Sequence, residues 1–244
     1  MRAEAPARTG RVLLLAGTTE ARALAARAGG LDVVARLAGR TEAPASLGVP
    51  TERGGFGGEA GARAALDGVA AVLDATHPFA AAISGRTARL CAEMGVPYLR
   101  LTRPPYDRAP GWRVHRDAEA AAAALPPGAR VLLAAGPGSL SPFLGRGLRL
   151  WCRRVDPAPP LDGVEWLLGL PGDAVAEADL LRDLGVTHLV AKDSGGARGK
   201  LDAAGALGLA VHLIARPPAP PGAETHDLEA AWRFLEAHAT HRDA

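Results

Sequence analysis

Five short stretches of this chain combine chemically active side chains with turn residues. Asp74-Ala-Thr-His-Pro-Phe-Ala80 follows an apolar run, so a strand would deliver Asp74, Thr76 and His77 to one rim. His77 is the best general-acid candidate, because an imidazole titrates near neutrality. The competing structural reading is that Asp74 and Thr76 only cap the next helix. Gly17-Thr18-Thr19-Glu20 reads as a strand-to-helix turn, where N–H groups and the helix dipole favour a phosphate. With one glycine it is not a GxGxxG loop, and Thr18 or Thr19 also suits an ordinary N-cap. Glu20 would oppose a phosphate and suits a hydroxyl instead.

Arg36 and Arg40 lie near the end of the second apolar run, where a dinucleotide fold meets the adenine ribose. An acidic residue there favours NAD. Arginines suit the 2′-phosphate of NADP, with solvated arginines as the competing reading. Gly54-Gly55-Phe56-Gly57-Gly58 places four glycines around one aromatic. Glycine lets a backbone approach a ligand closely, and Phe56 would lie flat against a ring. Lys192-Asp193-Ser194-Gly195-Gly196 again follows an apolar run. Ser194 and the two glycines would form a nest of N–H groups for phosphate or carboxylate, beside the Lys192 ammonium.

These stretches need strands that end beside them. Val12–Ala16, Asp32–Leu37, Ala70–Asp74 and Val96–Leu101 read as strands, with helices over Glu20–Ala28 and Ala80–Met94. Arg103 to Gly111 holds three prolines and a closing glycine, a stiff connector, so the domains are expected at 1–104 and 105–244. The second half repeats the pattern. Strands are expected at Arg130–Ala135, Leu148–Val155, His188–Ala191 and Ala210–Ala215, and helices at Glu177–Leu184, Lys200–Leu207 and Asp227–Ala239. Alternating strands and helices predict an α/β fold of two Rossmann-like domains, each with a parallel sheet.

The 48% hydrophobic and 22% charged content of the 244 residues supports a packed core rather than disorder. A net charge of +2, with no basic run interleaved with aromatics, argues against a nucleic-acid partner. Only two of the 28 basic residues are Lys, at 192 and 200. No apolar run reaches membrane length, and Cys91 and Cys152 form no CxxC, so a cytoplasmic protein without a metal site is expected. Tyr98 and Tyr106 lack a Lys four residues on, which disfavours a Tyr-x-x-x-Lys dehydrogenase. GxxxxGK[ST], GxSxG and HExxH are absent.

In order and spacing, Gly17-Thr-Thr-Glu-Ala21, Leu37-Ala-Gly-Arg-Thr41, Gly54-Gly-Phe-Gly-Gly58, Asp74-Ala-Thr-His-Pro-Phe-Ala80 and Lys192-Asp-Ser-Gly-Gly196 together resemble the precorrin-6A reductase family of cobalamin (vitamin B12) biosynthesis. The resemblance runs from about Val12 to Pro218. It implies NADPH in a cleft between two Rossmann-like domains, and reduction of one double bond in a methylated tetrapyrrole, precorrin-6A or its cobalt form. Taken with the reading of the strand ends, Gly17, Thr18, Thr19, Glu20, Arg36, Arg40, Gly55, Phe56, Gly57, Thr76, Lys192, Ser194, Gly195 and Gly196 are expected at the cofactor. Asp74, Arg86 and Arg103 would face the polycarboxylate substrate, and His77 would supply a proton. Two departures are Asp193, where the family often has Asn, and a shorter stretch from Gly196 to Lys200. The alternatives are an NADP-dependent reductase of another substrate, or a dinucleotide-sensing module without catalysis that docks a partner on the last helix. The Leu228, Ala231, Trp232, Leu235 stripe of that helix reads rather as core.

Overall fold

The computed structural model describes residues 9–37 and 46–242. Along the chain come β1 (Val12–Ala16), α1 (Thr19–Arg27), β2 (Val33–Leu37), β3 (Thr51–Arg53), α2 (Glu59–Leu66), β4 (Ala71–Ala75), α3 (Ala81–Met94) and β5 (Tyr98–Leu101). Then follow β6 (Arg113–His115), α4 (Ala118–Ala123), β7 (Arg130–Ala134), β8 (Arg149–Arg154), β9 (Val164–Leu168), α5 (Ala174–Asp183), β10 (His188–Lys192), α6 (Gly199–Ala206) and β11 (Ala210–Ile214). The chain ends with β12 (Ala223–Thr225) and α7 (Leu228–His238).

Two parallel six-stranded sheets result, in the orders β3-β2-β1-β4-β5-β12 and β9-β8-β7-β10-β11-β6. Each has the doubly wound order in which the winding reverses beside the first strand. The sixth strands are exchanged: β6 follows β5 in sequence but joins the second sheet, and β12 follows β11 but joins the first. Accordingly, one compact unit runs to Arg103 and takes back the chain from Pro217, and the other is Pro104–Arg216. The expected second domain, 105–244, is corrected on this point. Its tail pairs Ala223, Glu224 and Thr225 with Leu99, Arg100 and Leu101 of β5. Three residues reading Ala-Glu-Thr carry no apolar run to signal a strand. The same shortness hid β3 (Thr-Glu-Arg) and β6 (Arg-Val-His).

The cores explain the strands. Every residue of β1 is buried, as expected for a central strand covered on both faces. Leu14 packs with Leu24, Trp232 and Leu235 on one side, and Leu13 and Leu15 with Phe56, Leu66 and Leu90 on the other. The α7 stripe is therefore core of the first unit through Ala231, Trp232 and Leu235, not a partner face. In the second unit Leu132, Leu189 and Leu213 meet Leu181, Leu201 and Trp151. Thr18, Asp117, Asp173 and Asp227 cap α1, α4, α5 and α7 with their side chains. No helix among the described residues is long and apolar enough to cross a membrane.

The opposite face of the second sheet holds three histidines. His212 of β11 is fully buried, with Nδ1 2.9 Å from Nε2 of His115 of β6. Ring centroids lie 5.0 Å apart for His115–His212 and 5.6 Å apart for His188–His212. Burial, reinforced by the two neighbouring rings and Arg113, pushes His212 down to about 4. His115 and His188 are also lowered, chiefly by burial. The folded chain thus binds fewer protons here than the unfolded chain, so stability is lost as pH falls from the ordinary histidine value toward 4. The expected loss is on the order of 2–3 kcal/mol between pH 7 and pH 4. Urea unfolding followed by tryptophan fluorescence checks it, since Trp112, Trp151 and Trp166 lie in this unit. His212→Gln should flatten the dependence; an unchanged slope would refute the assignment.

Candidate active site at the carboxyl edges of the sheets

Ligands of doubly wound sheets gather beyond the carboxyl ends of the strands where the order reverses, here β1/β4 and β7/β10. In the first unit, Gly17 and the Thr76–His77 backbone meet there. A Cβ on Gly17 would lie 3.3 Å from the His77 amide nitrogen and 3.4 Å from the Thr76 Cα, so the two loops touch because residue 17 has no side chain. Thr18 Oγ1 accepts from the Ala21 N–H (3.2 Å) and donates to the Ala75 carbonyl (3.0 Å), tying α1 to β4. Glu20 is held by Arg103, whose Nε donates to both carboxylate oxygens at 2.8 and 2.9 Å. Arg103 Nη2 also donates to Thr19 Oγ1 at 2.7 Å. Burial raises the Glu20 carboxyl, but the Arg103 bonds and charge win, and the group lies below its ordinary value. The expected substrate arginine is therefore engaged in an internal ion pair.

The strap after β4 is built from its own hydrogen bonds. Asp74 is fully buried: Oδ1 accepts from the Thr76 N–H (3.0 Å) and Oδ2 from the Tyr98 hydroxyl (2.7 Å). This corrects the expectation that Asp74 meets substrate. A carboxylate with no access to solvent is satisfied from within. Burial, then the adjacent Asp74, pushes the Tyr98 hydroxyl far up. Thr76 is buried too, its hydroxyl 3.0 Å from that of Ser84 on α3, so a cofactor would meet its backbone rather than its side chain. His77 is half-buried, and its Nδ1 accepts from the Phe79 N–H at 3.2 Å.

Phe56 is also corrected. Its ring is buried with Leu13, Leu15 and Leu66 rather than offered to a ligand, and the Arg36 guanidinium lies 4.7 Å from the ring centroid. Arg36, at the carboxyl end of β2, is ion-paired with Glu52. Arg40 lies outside the described residues. Gly55 and Gly57 flank the Phe56 anchor, with open space where their Cβ atoms would be. Arg86 reaches from α3 to the Gly58 carbonyl at 3.4 Å.

In the second unit, Lys192 ends β10, and burial lowers its ammonium below the usual lysine value. Ser194, Gly195 and Gly196 follow, the two glycines at φ 67° and 85°. Asp193 is buried; it accepts from the Tyr106 N–H (2.9 Å) and Arg108 Nη2 (3.2 Å), pinning the connector that follows β5. The charge at this position thus meets an arginine, which an Asn could not match. Lys200 is buried on α6, 5.8 Å from the Tyr106 ring centroid.

Sequence reasoning missed Gly136-Pro-Gly-Ser139 as a site loop, although it follows β7 as Gly17 follows β1. It missed Ser84 and Tyr98, and also Gly61, whose Cβ would fall 1.8 Å from the Phe56 carbonyl oxygen. Two open grooves start from the other end of the first sheet at Arg11, Asp32 and Val34; both reach Glu52, and the first also reaches Arg36. Strand topology favours the carboxyl edge over them. Among the described residues, no group of three or more His, Cys, Asp or Glu could hold a metal ion.

The family described as precorrin-6x reductase CbiJ/CobK matches residues 11–236. A precorrin-6A reductase of Rhodobacter capsulatus is 40% identical over 242 residues, covering 93% of this chain and 96% of that one. A cobalt-precorrin-6A reductase of Priestia megaterium is 33% identical, covering 84% and 90%. The solved structure of CobK precorrin-6A reductase superposes with a TM-score of 0.87 at 40% identity, covering 96% of this chain and 99% of that one.

The Gly61 contact generates a paired test. Gly61→Ala should destabilise the protein by about 2 kcal/mol, because the Phe56 loop must move. Gly85→Ala, in α3 with open space at its Cβ, should instead stabilise it by about 0.5–1 kcal/mol. Denaturant midpoints read both, and equal effects would deny the close approach.

Proposed function

The chain belongs to the precorrin-6x reductase family, and from that premise we propose that it reduces one carbon–carbon double bond of precorrin-6A in cobalamin biosynthesis, with NADPH as reductant. The observation that carries this reading is likeness over nearly the whole of both chains, in sequence and in fold. The lower identity to the relative named for the cobalt-bound substrate supports the cobalt-free one.

The residues at the first unit's edge fit a dinucleotide. The α1 N-terminus offers its dipole, residue 17 offers no side chain, and Arg103 offsets the Glu20 charge that would otherwise repel a phosphate. Bound there, a reduced nicotinamide supplies hydride to one carbon of the double bond. The other carbon needs a proton. His77 is the proposed donor, acting from its protonated imidazolium form: once the proton has passed to carbon the ring is neutral, and with Nδ1 accepting the Phe79 N–H it keeps its remaining proton on Nε2. Arg86 is the arginine we assign to a substrate carboxylate. Lys192, Ser194, Gly195 and Gly196 offer a second anion-binding edge.

Anaerobic NADPH oxidation by the purified protein should require precorrin-6A. Binding of NADPH without oxidation would overturn the reductase reading. His77→Ala should lower kcat by about 100-fold; full turnover would remove His77 as donor. Arg36→Ala should weaken NADPH binding about tenfold, or ~1.4 kcal/mol, and leave NADH binding unchanged. Glu52→Gln, which frees Arg36, should tighten NADPH. Equal effects on both cofactors would place the 2′-phosphate elsewhere.

A further inference from the structure

We infer that Arg100, a buried arginine of β5, is a positioning residue that holds the His77 strap in place, with the exchanged strand β12 as its support. The inference rests on the reading of His77 as proton donor.

Asp74, Arg100 and Glu224 are register neighbours across β4, β5 and β12, so they share one face of the first sheet. The Arg100 side chain is only 6% exposed. Its Nη2 donates to the Pro78 carbonyl at 3.3 Å, and its Nη1 to Glu224 Oε2 at 3.4 Å. Tyr98, two residues earlier on the same face, donates to Asp74. The strand β5 therefore grips the strap at two points: its first carboxylate through Tyr98, and the carbonyl just after His77 through Arg100. The Phe79 amide beyond that carbonyl is the group that bonds His77 Nδ1. A shift of Pro78 would move that amide and release the ring.

Stability alone is a poor account of Arg100. Both its bonds are long, and its buried Nε has no partner. A buried guanidinium so incompletely satisfied costs desolvation that a well-packed apolar residue would not incur. What the guanidinium does provide is a planar fork reaching two acceptors on different elements, which the point charge of a lysine cannot reproduce.

The test uses the full chain with NADPH and precorrin-6A. Arg100→Met and Arg100→Lys should each lower kcat at least tenfold while changing KM for NADPH less than twofold. In a His77→Ala background, Arg100→Met should cause no further loss, because its effect passes through His77. Multiplicative losses in the two backgrounds would overturn the inference. Glu224→Gln, a milder change that leaves Arg100 in place, should give a smaller kcat loss of the same pattern if Arg100→Met does not fold. Nitrogen-15 NMR of the His77 ring separates the two claims. Wild type should show protonated Nε2 and unprotonated Nδ1, and Arg100→Met a mixture of tautomers. An unchanged ring signature in Arg100→Met overturns the positioning role whatever the kinetics. A changed signature with full turnover in His77→Ala keeps the positioning role and removes His77 as donor.

Discussion

Burial of Val12–Ala16 on both faces is the constraint from which the candidate site follows. A strand with no solvent-facing side needs helices above and below, and the first sheet obtains them by winding outward in both directions from β1. The reversal lies between β1 and β4, whose last residues, Ala16 and Ala75, are direct register partners. The chain leaving each strand must then share one small volume. That is why residue 17 is a glycine, against which the Thr76–His77 backbone closes so tightly that an added Cβ would lie 3.3 Å from the His77 nitrogen. Hydrophobic burial thus brings a helix N-terminus and a histidine strap to one rim.

A second regularity concerns charge. Most of the ionised groups near that rim are answered inside the protein: Glu20 by Arg103, Arg36 by Glu52, and Arg100 by Glu224. The second unit does the same with Asp193 and Arg108. In low-dielectric surroundings an unanswered charge would be costly, so charged side chains at a site are as often supports as ligand contacts. Arg36 shows how the two roles compete, since its guanidinium both pairs with Glu52 and covers Phe56.

This balance explains what the sequence could and could not reveal. The apolar strands β1, β4, β7 and β11 are legible because burial on both faces demands mostly Val, Leu, Ile and Ala, broken only by Asp74 in β4, Arg130 at the start of β7 and His212 in β11. The edge strands β3, β6 and β12 are not, because an edge of three residues needs no apolar run. The strand–turn junctions at Gly17, His77 and Ser194 are legible by position. The direction in which each side chain points is not. Asp74 and Phe56 fall inward, and nothing local separates an inward carboxylate from an outward one without knowing that Tyr98 lies across from it. The return of residues 217–242 to the first unit is a non-local pairing, invisible to a reading by windows.

The two units also repeat each other in a way that only topology exposes. Each fifth strand is followed shortly by Arg-Pro-Pro, at 103–105 and 216–218. Each of these arginines turns back to a switch-point loop of its own unit. Arg103 bonds Thr19 and Glu20 after β1, and Arg216 bonds the Asp193 carbonyl after β10 at 2.7 Å. Proline fixes the direction in which the chain leaves, and the arginine ahead of it fastens the departing chain to the edge where ligands bind. The exchange of sixth strands begins at these same steps. Strand β12 brings Glu224 to Arg100 beneath the His77 strap, and the connector to β6 is pinned by Asp193 beside Lys192 and Ser194. Each exchanged segment therefore supports a loop that its own sheet needs at the carboxyl edge, so the unusual connectivity and the candidate site are consequences of one arrangement.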